Sequence, residues 1–257
     1  MKVKRILAPN PGPFTGPGTN TYLLTSVGEA LLIDPGPLDR SHEEAILAAL
    51  TGLRLKAILV THTHEDHAPL ANPLAAQLGV PAYGHAPGPD FKPDLLLVDD
   101  DRVGFGNNEV QAVHTPGHSP DHLCFMVGDN LFTGDHIMGG SSVVVEDMTA
   151  YLASLHRLQQ LHLTRLYPGH GLAMHEPAGI VAGYIEHRLE RERQVLSAVK
   201  TGANTVMEIV QAVYRDVDPA LHPLAAMSVR AHLVKLAADG AVQLSDEDHV
   251  LPAGETA

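Results

Sequence analysis

The chain has 257 residues, 44% of them apolar, enough to bury a substantial core and typical of a globular protein, neither disordered nor membranous. Its 30 acidic residues outweigh 17 basic ones for a formal net charge of −13, which repels polyanions at long range and counts against broad nucleic-acid binding. The single cysteine, Cys124, excludes an internal disulfide framework and cysteine-rich zinc modules, so any metal must be held by histidine and carboxylate.

The basic start MKVKR leads into an apolar run that stops at Pro9, short of a signal-peptide core. No stretch approaches the roughly 20 apolar residues of a membrane-spanning helix. The expected location is the cytoplasm. NTYLLTS (20–26) and EALLID (29–34) read as strands joined by a turn at Gly28, with Asp34-Pro-Gly-Pro ending the second. Ser41 and Glu44 form a capping box ahead of EEAILAAL, predicting a helix of about ten residues. KAILVTH (56–62) is an apolar strand that delivers its polar end to a loop, the usual position of sites in α/β proteins. A helix over 68–78 and strand-like pieces around 81–84, 94–98 and 109–114 follow. HLCFMVGDNLFTGD (122–135) reads as a hairpin turning at Gly128-Asp129-Asn130, 149–161 as a helix, and RLYPGHG (165–171) as a strand ending in a turn.

Beyond Pro177 the pattern becomes helical. Val181, Ile185, Leu189, Leu196 and Val199 recur at helical spacing beside the charged run EHRLERER. A capping box at Thr205 and Glu208, a helix carrying Val229, Leu233 and Leu236, and the hairpin-like AVQLSDEDHVLP suggest a small winged-helix-like unit. The division is therefore 1–177, a metal-binding domain, and 178–257, a helical one.

Chemistry concentrates where strands stop. In THTHEDH (61–67) an extended backbone projects His62 and His64 to the same side, while Asp66 and His67 follow a turn and can face a second metal. Zinc in such sites takes three protein ligands plus water, and paired sites hold two metals. Three strand-end turns offer the missing ligands: His118 in HTPGHSPDH, Asp135 in LFTGDH and His170 in YPGHG. A carboxylate such as Asp135 has two oxygens and can bridge two cations.

The order HxHxDH, TPGH, TGD, PGH resembles the metallo-β-lactamase superfamily. The resemblance implies an αββα sandwich, with His62, His64 and His118 on one zinc, Asp66, His67 and His170 on the other, and Asp135 bridging. GTNTYLL (18–24), SSVVVEDMTAYLASL (141–155), YPGHG with His175 shortly after, and YIEHRLERERQ (184–194) are similar to the β-lactamase-like protein 2 group, over nearly the whole chain including the winged-helix-like unit. His114 is not the ligand that the TPGH motif supplies.

The implied activity is hydrolysis by a hydroxide shared between two Zn2+, with Mn2+ or Fe2+ able to occupy the same ligands. Asp66 and Asp135 are the expected catalytic carboxylates, with His122 or His175 as candidate proton donors. An ester or thioester of a small acyl substrate is the first expectation. The subgroup resemblance brings an alternative, an endoribonuclease on single-stranded RNA, for which Arg188, Arg191 and Arg193 would be phosphate contacts. They read first as a solvent face paired with Glu186, Glu190 and Glu192. A non-enzymatic alternative, a metal-responsive nucleic-acid-binding protein, is weakened by the charge of 178–257, 7 basic against 11 acidic residues. A homodimer contact through the C-terminal unit is a further expectation. Glu65, His42, His156, His162, His222 and His249 read as solvated, and His122 and His136 as neighbours of the ligands.

Overall fold

In this computed structural model, which describes residues 1–139, 143–245 and 248–254, the chain divides into two units, each with its own core. Ser141 and Ser142 of the 141–155 segment and the tip of the C-terminal hairpin lie outside the described residues.

The first unit comprises residues 1–116, 121–143 and 161–178. Its strands are β1 (Lys2–Leu7), β2 (Asn20–Ser26), β3 (Glu29–Ile33), β4 (Arg54–Leu59), β5 (Ala82–Gly84) and β6 (Leu95–Leu96), which form one sheet in that order. Helices α1 (Arg40–Ala49) and α2 (Ala71–Leu78) make the parallel crossovers from β3 to β4 and from β4 to β5. The second sheet runs β12-β11-β10-β9-β8-β7, from β7 (Arg102–Phe105), β8 (Asn108–His114), β9 (Leu123–Val127), β10 (Asn130–Gly134), β11 (Arg165–Pro168) and β12 (Met174–His175).

The period-two alternation of side chains explains why β2 and β3 read as unbroken apolar runs. Leu23, Ala30 and Leu32 point outward to a cluster with Ile46 and Leu50 of α1 and Ala71 and Leu74 of α2. Tyr22, Leu24, Leu31 and Ile33 point inward to Val110, Leu123, Phe125 and Phe132 of the second sheet. Phe132 stacks on Tyr167 at 4.7 Å, and Tyr22 meets Phe132 edge-on at 5.2 Å.

Several expectations change. Helix α1 is capped by Asp39, whose carboxylate accepts the His42 N–H at 2.8 Å; Ser41 lies in the first turn and donates its hydroxyl to Asp39. The earlier start turns His42 inward: it is 1% exposed and its Nε2 lies 2.8 Å from the Thr21 hydroxyl, so it is not a solvated residue. His156, His162 and His249 are exposed, as is Glu65, while His222 is half-buried. Strands β1, β7 and β12 were not expected; all three are terminal strands of their sheets and carry few buried side chains.

The second unit comprises residues 117–120, 144–160 and 179–257. It contains α3 (Met148–Gln159), nearly all of α4 (Pro177–Lys200), α5 (Val206–Val213), α6 (His222–Ala238) and the paired strands β13 (Val242–Leu244) and β14 (Val250–Pro252). Val195 and Val199 of α4, Ile209 and Val210 of α5, Val229 and Leu233 of α6, and Val242 and Val250 close one core. Thr205 caps α5, its side chain accepting the Glu208 N–H, as the sequence predicts.

The arginines of EHRLERER are not a row of surface ion pairs. Arg188 falls on the same helical stripe as Val181, Ile185 and Val195, is 3% exposed, and lies 5.3 Å over the Tyr151 ring. Arg191 lies 4.1 Å over the Tyr214 ring and donates to the Val213 carbonyl at 3.1 Å. Arg193 makes an exposed pair within the run, with Glu190, while Glu192 accepts from Lys235 of α6 at 3.0 Å. No helix among the described residues is long and apolar enough to cross a membrane.

His232 of α6 is fully buried, and burial, followed by the charges of Arg188, Arg191, Lys235 and His187, pushes it down to about 3. The unfolded chain protonates this ring near pH 6.5. The folded pKa is depressed, so the unfolded state gains the proton first and stability is lost as pH falls from about 6.5 towards 3. Urea unfolding followed by circular dichroism is expected to show H232Q losing less stability than the parent protein between pH 7 and 4.5.

Candidate metal centre

The site begins with a carboxylate that sequence reasoning did not single out. Asp34 follows β3 at φ 49°, a left-handed conformation that Asp tolerates, and is 2% exposed. One carboxylate oxygen accepts the Thr61 N–H at 2.7 Å. The other accepts the Thr61 hydroxyl at 2.7 Å and faces His67 Nδ1 at 2.9 Å. Donation by His67 Nδ1–H leaves the lone pair on Nε2, which points into the cluster.

Thr61 also orders His62. Its hydroxyl proton goes to Asp34, so the contact of 3.0 Å with His62 Nδ1 has the ring donating, again leaving the lone pair on Nε2. That Nε2 lies 3.0 Å from His64 Nδ1, and the two rings meet edge-on. Thr63 turns its N–H to Asp121 at 2.9 Å, and Glu65 faces solvent. The i, i+2 spacing thus brings His62 and His64 together, as the extended backbone predicts.

Asp66, His67, Asp135 and His170 converge from three loops. His67 Nε2 lies 3.3 Å from Asp66 Oδ2, 3.4 Å from Asp135 Oδ1 and 3.4 Å from His170 Nε2. His170 Nε2 lies 3.2 Å from Asp66 Oδ2 and 3.3 Å from Asp135 Oδ2. Ligands about 2.1 Å from one ion in a tetrahedron stand about 3.4 Å apart, so this donor set has the spacing and the chemistry of a metal site. Two groups in this unit, His62 with His67 and Asp135, and Asp66 with His67 and His170, each put one ligand atom per residue within 4.8 Å.

The turn that carries His170 can approach so closely because Gly169 has no side chain. A Cβ there would stand 2.4 Å from Asp135 Oδ1 and 2.7 Å from His67 Cε1. His122 is fully buried: its Nε2 accepts the Asp135 N–H at 3.2 Å and its Nδ1 lies 3.0 Å from the Thr115 hydroxyl. It therefore orients the Asp135 backbone, and its ring proton, on Nδ1, faces Thr115. His175 is exposed on β12, and His114 stacks on His85 at 4.1 Å. His118 belongs to the 117–120 segment of the second unit, where its Nδ1 lies 2.7 Å from the Val144 carbonyl oxygen, so its lone pair is also on Nε2.

The electrostatics are those of a cation cradle. Burial works against charge on His67, but Asp66 and Asp135 outweigh it and hold the ring well above its usual range. Burial opposes charge on His170 too, yet hydrogen bonds to Asp135 and Asp66 push it up to about 9. Conversely, burial would raise both carboxyls, while His67, with the hydrogen bonds of His170, holds Asp66 and Asp135 well below the carboxylate range.

The metallo-beta-lactamase superfamily profile matches residues 14–170, and the beta-lactamase associated winged helix domain matches 205–249. The chain is 34% identical to a beta-lactamase-like protein 2 homolog of Caenorhabditis elegans over 94% of its own length and 86% of the relative's. It is 36% identical to an atrochrysone carboxyl ACP thioesterase of Aspergillus chevalieri, covering 93% and 82%. A metallo-beta-lactamase family protein from Thermus thermophilus superposes with a TM-score of 0.82 over 97% of this chain and 98% of that one at 22% identity, a likeness of fold. A protein solved in a di-iron-bound form superposes with a TM-score of 0.55 over 70% of this chain and 96% of that one, at 31% identity.

Because His67 and His170 hold protons above the usual imidazole range in the metal-free cluster, a metal ion must displace them. Metal uptake by the apo protein is expected to release protons, and its apparent affinity to weaken steadily as pH falls from 9 to 6. Calorimetry in buffers of different ionisation enthalpy measures both.

Proposed function

The chain belongs to the metallo-beta-lactamase superfamily, and on that premise we propose that it is a two-metal hydrolase that opens a thioester or ester of a small acyl substrate. The observation that carries this reading is the buried convergence of Asp66, His67, Asp135 and His170 with contacts of 3.2–3.4 Å. To the first ion we assign His62, His64 and His118, and to the second Asp66, His67 and His170, with Asp135 contributing to both. Zinc is the expected metal, with manganese or iron compatible with the same nitrogen and oxygen donors. When bound, such a pair supplies Lewis acidity, lowering the pKa of a water to about 7 and polarising the scissile carbonyl.

The protein's own contribution is orientation. Asp34 sets the His67 tautomer and, through Thr61, that of His62; His122 holds the Asp135 backbone; the Val144 carbonyl sets His118. Asp66 and Asp135 bring negative charge to a buried place, which favours the divalent state of the site over the empty one.

Thioester substrates are supported by a relative named as an acyl-carrier-protein thioesterase, similar to this chain over most of both lengths. The RNA reading comes with the subgroup resemblance, and the arginines that would contact phosphate, Arg188, Arg191 and Arg193, are engaged with Tyr151, Tyr214 and Glu190 respectively. For the nucleic-acid-binding reading the candidate recognition helix is α6, whose Arg230 pairs with Asp248 and whose Lys235 pairs with Glu192 and Asp239. Neither reading has a specific observation in its favour.

A panel of S-lactoylglutathione, acyl thioesters, lactones, a phosphodiester, single-stranded RNA and a β-lactam, assayed with metal-replete protein, tests the proposal. Turnover is expected to be fastest on a thioester, and D135A to lower it by more than about 100-fold, beyond the usual cost of losing a supporting residue. Preferred cleavage of RNA, or uptake of no more than one equivalent of metal after reconstitution, would overturn it.

A further inference from the structure

The loop between β1 and β2 makes contacts that the ligand assignment leaves unexplained. Thr19 is fully buried, and its hydroxyl lies 2.7 Å from Asp66 Oδ2, the same oxygen that faces His67 and His170. Resting on the two-metal reading above, we propose that Thr19, set by Asn10, is a positioning residue that commits its hydroxyl proton to Asp66 and so builds the second metal position.

The direction of that proton follows from Asn10. The Thr19 backbone N–H has only donation to offer, and it meets Asn10 Oδ1 at 2.9 Å, which fixes the amide with its nitrogen on the other side. That nitrogen lies 2.9 Å from Thr19 Oγ1 and donates to it. A hydroxyl has one proton, and with an amide donor on one side the proton turns to the carboxylate. The result is a charge-assisted hydrogen bond on the most exposed ligand of this group, the Asp66 side chain being 19% exposed against 10% for Asp135 and 5% for His170.

The loop is built to hold this arrangement. The Asn10 carbonyl accepts the Thr15 hydroxyl at 2.6 Å, and Ala8 N–H bonds the Thr19 carbonyl at 2.9 Å. Gly18 has φ 142°, and a Cβ there would stand 2.0 Å from the Ala8 carbonyl oxygen, so the chain can pass only as glycine. The Gly18 carbonyl faces His170 Nδ1 at 3.3 Å, and Asn20 N–H bonds the Gly169 carbonyl at 2.7 Å. One loop thus supports Asp66 and His170, two ligands assigned to the same ion, so its influence falls on that metal position.

The test is stepwise metal binding by chelator competition, with the absorption spectrum of the cobalt-substituted protein as a readout independent of turnover. The parent protein is expected to take up two equivalents. T19V, which keeps the shape and removes the proton, is expected to hold the first equivalent and to bind the second about 10–100-fold more weakly, with a changed cobalt spectrum. T19S, which restores the hydroxyl without the methyl, is expected to regain the second equivalent. Wild-type affinity for the second equivalent in T19V, or a T19S protein as weak as T19V, overturns the proposal while leaving the two-metal reading intact. A parent protein that binds only one equivalent sinks both before any variant is compared.

Discussion

The arrangement of the centre depends on a single buried carboxylate, Asp34, placed where β3 ends and the chain turns towards α1. It binds three donors from the loop after β4, the Thr61 N–H and hydroxyl and the His67 ring, at 2.7, 2.7 and 2.9 Å. Buried polar groups left without partners are costly, so these three bonds lock the loop to the adjacent parallel strand. Through them the tautomers of His62 and His67 are fixed, and those are the two rings proposed for different metal positions. The positive φ at Asp34 is the local strain that this arrangement requires.

Around that anchor the first unit collects polar side chains from several strand ends in one sandwich. The central strands β2, β3, β9 and β10 are buried on both faces and supply rigidity, with Phe132, Tyr167 and Tyr22 packed together near the ends that carry Asp135, His170 and the Thr19 loop. Contact between the loops is permitted by absent side chains: the Gly169 turn reaches Asp135 and His67 at distances no Cβ could occupy. The buried acids and histidines then depend on each other for their charge states, a balance that a divalent ion can take over from protons.

The second unit follows a different logic. Its charged helix α4 looks in isolation like a solvated, salt-bridged surface, yet Arg188 lies under Tyr151 and Arg191 on Tyr214, where the long apolar stems and planar guanidinium groups serve packing as much as charge. The winged-helix pattern is present, but the cations of its second helix are neutralised by Asp248, Glu192 and Asp239. Shape alone therefore says little about nucleic acid here, because phosphate attraction needs uncompensated charge.

What the sequence by itself determined is what local spacing and turn chemistry can encode. The apolar runs of β2, β3, β9 and β10, the Thr205 cap and the order of strand-end His and Asp motifs are legible because each is set within a few residues. The start of α1 was not, since Asp39 and Ser41 are both good caps and a hydrogen bond between them decides which one serves. Nor were the short terminal strands, whose pairing is the only thing that makes them strands. Tertiary structure alone decided the roles of Asp34, Thr19, Asn10 and His42. Each is an ordinary polar residue until a partner far along the chain, such as Asp66 for Thr19 or His67 for Asp34, is brought within about 3 Å, the reach of a hydrogen bond.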